Sequence, residues 1–309
     1  MKIHQGLENF PNIKNAIVTS GTFDGVHLGH LKILRRLKEI TEACNGESVL
    51  ITFWPHPRLV LQPDYNLKLL TDFDEKVRLL EKFGIDHLVV IPFTKAFSKL
   101  SSEAFVEEIL IKKINTKKLV IGFNHHFGRN REGSFEYLMQ HADKYGFDIE
   151  EIERQDVAQI GVSSTKIRKA LKRGEVDVAA KLLGRNHSLT GKVIHGNKNG
   201  KKIGFATANI VINDPYKLVP VDGVYAVKVL YDGEEFDGML NIGHRPTIKD
   251  NNKTIEVHIF DFTKDIYEEE LKIAFVKRIR DEMKFVGLGA LKQQLKKDKK
   301  EVLEILKSR

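Results

Sequence analysis

The sequence predicts an α/β fold in two parts: a parallel sheet covered on both faces, then an antiparallel sheet or small barrel closed by a helical tail. In the first half, solid apolar runs alternate with stretches of helical period, the pattern of parallel strands buried on both faces. Beyond about residue 186 the runs shorten and are separated by Gly, Asn and Asp turns, as in antiparallel hairpins. Length agrees, since 309 residues suffice for about two domains, each with its own core.

The first element pair is the most informative. Ala16, Ile17 and Val18 form an apolar run, and Leu31, Leu34, Leu37 and Ile40 recur at helical spacing. Between them lies Gly21-Thr22-Phe23-Asp24-Gly25-Val26-His27-Leu28-Gly29-His30, so the segment reads as strand, Gly-rich turn and helix start. Such a turn binds anions, because glycine lets backbone approach a ligand and the free N–H groups of a helix start point outward. His27 and His30 add donors at the same place. An ordinary turn with surface histidines is the alternative.

Residues 48–54 form a buried-type strand stopped by Pro55-His56-Pro57, residues 74–83 a helix, and residues 87–92 a strand. A helix over residues 102–114 and a strand over 118–122 follow. Ligands of such sheets bind beyond the carboxyl ends of the strands. The opening turn, the Pro-His-Pro segment and residues 122–133 should therefore converge into a rim of His, Asn, Arg and Gly. Arg129 and Arg131 are placed there to meet phosphate or solvent. Ser163-Ser164-Thr165-Lys166-Ile167-Arg168 opens a helix expected to run to about Leu183, either simply capped by hydroxyls or offering a second anion site.

The change of texture divides the chain into residues 1–185 and 186–309. In the second part, residues 189–194, 224–230, 235–242 and 254–262 read as strands, and Asp232-Gly233 marks a hairpin. A charged amphipathic helix is expected from about Ala290. Thr207 and Asn209 fall on one side of an extended segment, offering a hydroxyl and a carbonyl to one object. Neutral oxygens plus phosphates are what a magnesium–nucleotide complex prefers. Alternation over 254–262 puts Ile255, Val257 and Ile259 on one face and Glu256, His258 and Phe260 on the other. Glu256 there is a general base for a hydroxyl nucleophile or a cross-strand ion partner.

The formal net charge of +8 suits anionic ligands, nucleic acid or an anionic surface, although much of it sits in solvated stretches such as Lys296-Lys297-Asp298-Lys299-Lys300. Cys44 is the sole cysteine, which excludes an intrachain disulfide and a thiolate metal cluster. The first residues lack the apolar core of a signal peptide and no run is long enough to span a bilayer, so a cytoplasmic protein with no membrane partner is expected. There is no Walker loop, since Gly196-Asn197-Lys198-Asn199-Gly200-Lys201-Lys202 is one residue short and has Lys where Ser or Thr is required.

Seven signatures, in order, resemble one family over almost the whole chain. The opening motif, Phe53-Trp54-Pro55-His56-Pro57, residues 122–133 and residues 163–168 are similar to the adenylyltransferase half of bacterial bifunctional riboflavin kinase/FAD synthetases. Gly204-Phe205-Ala206-Thr207-Ala208-Asn209, Asn241-Ile242-Gly243-His244-Arg245-Pro246-Thr247 and residues 256–262 resemble its kinase half. The resemblance implies a Rossmann-like nucleotidyltransferase domain and a kinase barrel. Riboflavin, FMN and ATP would be the substrates and Mg²⁺ the metal.

By that resemblance, Thr207 and Asn209 bind magnesium–ATP beside Gly204, and Glu256 activates the ribityl hydroxyl. Arg280 and Phe285 match positions near the flavin. In the other half His27 and His30 stabilise charge while the FMN phosphate attacks the α-phosphate of ATP. Gly21, Phe23, Asp24, Gly25, Gly29, Asn124, Ser164, Thr165 and Arg168 hold that nucleotide, and Phe53, Pro55, His56 and Pro57 the flavin. Such transfers depend on positioning and charge neutralisation, so neither a covalent nucleophile nor a Walker loop is required.

The chain departs from the family pattern in three places. Ala206 stands where Pro is usual, leaving the loop before Thr207 less rigid because Pro fixes φ. Lys201 stands where Arg is common, and Asn124 where Asp is frequent. A barrel serving only to bind flavin is one rival reading. A basic nucleic-acid-binding protein is another, but it requires an aromatic and Lys/Arg stripe that residues 224–242 lack. No nucleic-acid partner is expected; the oligomeric state is open.

Overall fold

A computed structural model describes all residues except 124, 153–155, 158–159, 197–199, 201–202, 245–252 and 308–309. The chain forms two compact units, Met1–Ser163 and Ser164–Arg309.

The first unit is built on six parallel strands: β1 (Lys2–Gln5), β2 (Ala16–Ser20), β3 (Glu47–Trp54), β4 (His87–Pro92), β5 (Thr116–Gly122) and β6 (Asp148–Ile152). Their order is β1-β4-β3-β2-β5-β6. The central strands are apolar on both sides because successive side chains serve opposite cores. Ala16 and Val18 pack with Val49, Ile51, Leu119 and Ile121 in one core. Ile17 packs with Leu50, Leu88 and Val120 in the other.

The second core is covered by α1 (Leu28–Ala43), through Leu34 and Leu37, and by α3 (Phe73–Lys82), through Leu80. A short helix, α2 (Pro57–Leu61), lies between them in sequence. The first core is covered by a helix that begins as α4 (Ser102–Ala104) and continues in π geometry over Phe105–Lys113. A helix was expected here, but its hydrogen bonding is partly wider: Ile114 N–H reaches Ile109 O at 3.1 Å. The five-residue step aligns Phe105 with Leu110, and Ile109 with Ile114, and all four are buried.

The strands β2, β3 and β4 progress toward one edge, whereas β5 and β6 lie on the other side of β2. The order therefore reverses between β2 and β5, and a crevice at such a reversal is where sheets of this kind bind ligands. The edge strands β1 and β6 were not anticipated, because Lys2–Gln5 and Asp148–Ile152 are largely polar.

After β6, the short strands β7 (Asp156–Val157) and β8 (Ile160–Gly161) form a two-stranded antiparallel sheet. The second unit opens with α7 (Ser164–Lys172) and α8 (Val176–Leu183), which follow two short helices, α5 (Phe135–Gln140) and α6 (Ala142–Tyr145), of the first unit. The single helix expected from Ser163 to about Leu183 is thus broken. Gly174 has φ +78°, and a β carbon there would strike the Arg278 side chain, so the chain turns at this glycine.

A closed antiparallel barrel follows, in the order β10-β13-β12-β11-β14-β9. Its strands are β9 (Ser188–Ile194), β10 (Ala208–Val211), β11 (Gly223–Tyr231), β12 (Glu234–His244), β13 (Lys253–Ile259) and β14 (Glu270–Arg280). Between β11 and β12, Asp232 and Gly233 have φ of +52° and +78°, the left-handed pair expected of that hairpin. The C-terminal helix, Leu288–Lys307, packs Val302 and Leu306 against Ile203, Phe205, Met239 and Phe260. Asp298, 1% exposed, faces the barrel from the same helix and receives the Arg280 guanidinium, with Nη2 to Oδ2 at 2.7 Å and Nε to Oδ1 at 3.0 Å.

Candidate active sites

At the crevice of the parallel sheet, the opening motif is held in unusual backbone conformations. Phe23, Gly25 and Val26 have φ of +46°, +87° and +36°. Positive φ is costly for phenylalanine and more so for β-branched valine, so surrounding contacts must hold it. Phe23 and Val26 are sunk into the core. Asp24, 2% exposed, accepts Leu70 N–H at 2.9 Å and Thr71 N–H at 3.3 Å, while Thr71 Oγ1 takes Gly25 N–H at 3.2 Å. The described hydrogen bonds of Asp24 thus buttress the turn.

His27 is the N-cap of α1. Its Nδ1 accepts His30 N–H at 3.3 Å, and His30 Nδ1 accepts His27 N–H at the same distance. The two rings stack with centroids 3.6 Å apart and 11° between planes. Because both Nδ1 atoms accept, the proton of each neutral ring lies on Nε2, and both Nε2 atoms are donors. A β carbon on Gly29 would stand 3.2 Å from the His27 ring, so glycine permits the stack.

The three post-strand segments do come together on adjacent strands. Gly21 N–H donates to Ile51 O at 3.0 Å, and Thr52 Oγ1 donates to Thr22 O at 3.4 Å. His56 caps α2, with Nδ1 accepting Arg58 N–H at 3.2 Å, and Pro57 occupies the first turn, where no N–H is needed. Pro55 follows Trp54 through a cis peptide. The Phe53 ring lies 5.9 Å from Phe93 and 5.8 Å from Phe97. Across the crevice Ser20 Oγ is 2.9 Å from His125 Nε2.

Asn124 lies outside the described residues. Ser164, Thr165 and Arg168 stand in the first turns of α7, in the second unit.

Lys76 stands outside every segment the sequence marks as part of the site, whereas His125 belongs to the expected rim of residues 122–133. Lys76 is 2% exposed, with Nζ 5.1 Å from the centroid of the Trp54 ring. Burial pushes its pKa down to about 8, and nearby Asp24 pulls the other way. The signal was a lysine on the apolar stripe of α3, between Phe73 and Leu80. His125 is held neutral, its pKa lowered to about 4 by burial, with Nδ1 enclosed and unpartnered.

In the barrel, Asn209 of β10 and Asn241 of β12 both pair with Glu256 of β13. Thr207 Oγ1 donates to Glu256 Oε2 at 3.4 Å. Gly204 has φ +83° in the loop just before. A β carbon on Gly196 would collide with the Asn209 amide, and one on Gly200 with Phe205 O, so two glycines let backbone close around these polar groups. Glu282 touches Gly243, which pairs with Thr254, two residues from Glu256 along β13. The segment after β14 thus reaches this end of the barrel. Arg280 itself is engaged by Asp298, and its guanidinium carbon lies 5.8 Å from the Phe285 ring.

Residues 10–166 match the FAD synthetase family and residues 183–306 the riboflavin kinase family. The chain belongs to the bifunctional riboflavin kinase/FMN adenylyltransferase family. A member from Buchnera aphidicola subsp. Schizaphis graminum is 40% identical over 99% of this chain and 98% of its own. One from Escherichia coli K12 is 35% identical over 96% of both chains. A crystal structure described as a macrolide-efflux protein from Streptococcus pneumoniae has a TM-score of 0.89 at 31% identity, covering 97% of each chain.

The chain therefore takes riboflavin to FMN and FMN to FAD, using ATP in both reactions. Among its described residues no helix is long and apolar enough to cross a membrane.

Proposed function

We propose that the two reactions use separate groups of side chains: Thr207, Asn209 and Glu256 for the kinase, and the histidine-capped turn from Gly21 to His30 for the adenylyltransferase. The observation that carries the kinase assignment is the convergence of Thr207, Asn209 and Glu256, where the Thr207 hydroxyl meets Glu256 Oε2 at 3.4 Å. Glu256 takes the proton from the ribityl hydroxyl as its oxygen attacks the γ-phosphorus of ATP, and ADP leaves. Phe285 and Arg280 flank the flavin.

Among the described residues no group of three His, Cys, Asp or Glu side chains could hold a metal ion. The donors at Thr207 and Asn209 are neutral oxygens, which fit a Mg²⁺ ion arriving with the phosphates of ATP. The ion would supply charge neutralisation of those phosphates.

For FAD formation, the FMN phosphate oxygen attacks the α-phosphorus of ATP, one P–O bond forms, and pyrophosphate departs. The Nε2–H groups of His27 and His30, together with the N–H groups of Leu28 and Gly29 in the first turn of α1, donate to the phosphate oxygens as charge builds on them. Gly21, Phe23, Asp24, Gly25 and Gly29 shape that cradle, Asp24 from beneath. Phe53, Pro55, His56 and Pro57 meet the flavin.

Ser164, Thr165 and Arg168 are assigned to the adenylyltransferase nucleotide by resemblance, as is Asn124. The same proposal gives residues 1–185 to the adenylyltransferase and 186–309 to the kinase. The single cysteine, Cys44, fits a cytoplasmic enzyme.

The test is to incubate the protein with riboflavin, ATP and Mg²⁺ and separate the flavins and nucleotides by chromatography. FMN and FAD should both appear, with ADP accompanying every flavin phosphorylated and pyrophosphate every FAD formed. FAD from added FMN but nothing from riboflavin would leave the barrel as a flavin-binding module and refute the kinase assignment.

A further inference from the structure

Thr207 is exposed, and it stands between buried Phe205 and the first residue of β10, Ala208. One further step in the pairing of Ala208 with Val257 sets Thr207 opposite His258. The His258 ring lies 5.2 Å from the Phe205 ring and 5.5 Å from that of Phe260, both part of the core beneath the C-terminal helix. Its Nδ1 is 2.7 Å from Ala206 O. A carbonyl only accepts, so Nδ1 carries the proton and donates. Glu256, two residues earlier on the same face of β13, takes the Thr207 hydroxyl. One strand thus grips both sides of the Ala206–Thr207 link, the carbonyl through His258 and the hydroxyl through Glu256. Alanine leaves φ at position 206 unfixed, so the His258 hydrogen bond sets the direction of this peptide plane.

We propose that His258 is a positioning residue for the kinase reaction: by holding the Ala206 carbonyl it aims the Thr207 hydroxyl at the magnesium–ATP complex. This rests on Thr207 binding magnesium–ATP, as proposed above. The hydroxyl it aims is the one assigned to magnesium–ATP, so loss of His258 acts on the KM for magnesium–ATP and leaves riboflavin binding alone. A second means of fixing the loop should then replace it, and a proline at 206 fixes φ directly.

The experiment measures riboflavin phosphorylation by the full-length chain in wild-type, His258→Ala, His258→Asn and Thr207→Ala forms, each with and without Ala206→Pro, after thermal melts establish folding. His258→Ala should raise the KM for magnesium–ATP about fivefold, the worth of one neutral hydrogen bond, with the KM for riboflavin unchanged. Ala206→Pro should recover part of that loss, and His258→Asn, which keeps an N–H donor, should lose less. Folded His258→Ala with wild-type KM for magnesium–ATP, alongside a raised KM in Thr207→Ala, overturns the proposal. An unchanged KM in Thr207→Ala as well refutes the assignment of Thr207, and the role of His258 falls with it. If His258→Ala does not fold, His258→Asn with and without Ala206→Pro decides: rescue supports positioning, and a lowered melting temperature with an unchanged KM overturns it.

Discussion

His27 and His30 lie face to face, their ring centroids 3.6 Å apart, each Nδ1 accepting the backbone N–H of the other residue. The pair closes the first turn of α1 and presents two Nε2–H donors at the carboxyl end of β2. Replacing His30 with Ala removes one donor and half of the cap. FAD formation from FMN should fall by about 100-fold or more, the cost of deleting one donor to a developing oxyanion. Stability should drop by only about 1 kcal/mol, the usual cost of a lost cap. Chromatography of FMN with ATP, and a urea melt, check the two effects separately.

Asp24 supports the same turn from below, so Asp24→Ala strands the N–H groups of Leu70 and Thr71 in the interior. Each buried donor left unmade costs about 1–3 kcal/mol. The expected outcome is a clear fall in the denaturation midpoint together with weakened ATP binding. Intact stability would show that the backbone of residues 23–26 is held by other means.

Lys76 gives a pH signature at alkaline pH. Its folded-state pKa of about 8 lies below the unfolded 10.5, so the folded chain binds fewer protons between these values. Stability therefore rises as pH climbs from 8 toward 10.5 and is flat with respect to this group below 8. Lys76→Met, similar in length and uncharged, should be at least as stable as wild type at pH 7 and should lose the alkaline rise. Urea midpoints across that range test it.

His125 acts at the acidic end. Its pKa is lowered to about 4 from 6.5, so the stability contributed by its neutral form is complete above 6.5 and is lost as pH falls toward 4. His187, also buried, has its pKa lowered by burial and adds in the same sense. Substituting His125 with Phe should flatten this acid loss partly, leaving the share of His187. A slope identical to wild type would mean that His125 is protonated without cost.

The Arg280–Asp298 pair fastens the C-terminal helix to the barrel. Asp298→Ala leaves a half-buried guanidinium without its carboxylate and should cost about 3–5 kcal/mol. Because Phe285 lies near that guanidinium, the KM for riboflavin should rise as well.

Much of this architecture was legible in the chain itself. The β2 and β3 runs and the helical spacing of Leu34 and Leu37 announced the central parallel sheet, and Asp232-Gly233 announced the hairpin of the barrel. The edge strands β1 and β6 were hidden because an edge buries little and can be polar. Strand β14 lies outside the strands expected from the sequence, although Leu271, Ile273 and Phe275 alternate with Lys272 and Ala274 at a period of two. Gly174 gave the break between α7 and α8, yet amphipathic spacing on both sides made one helix look continuous.

At the sites, residue types were readable and partners were not. The Gly-rich turn with two histidines could be read as an anion cradle, but the stack of His27 on His30 depends on a cap geometry that sequence does not encode locally. Asp24 was read as a nucleotide residue, while its hydrogen bonds run to Leu70 and Thr71, far along the chain. Arg280 was placed near flavin without any hint of Asp298, because the two are joined only when the last helix folds onto the barrel.

The separation of the two reactions is tested most directly by complementation between Glu256→Ala and His30→Ala proteins. Glu256→Ala should convert FMN to FAD but not riboflavin to FMN, and His30→Ala should convert riboflavin to FMN at the wild-type rate while its FAD formation falls about 100-fold or more. Mixed in one tube with riboflavin, ATP and Mg²⁺, the two variants should make FAD. Loss of both activities in either folded variant, or no FAD from the mixture, would contradict two separate sites.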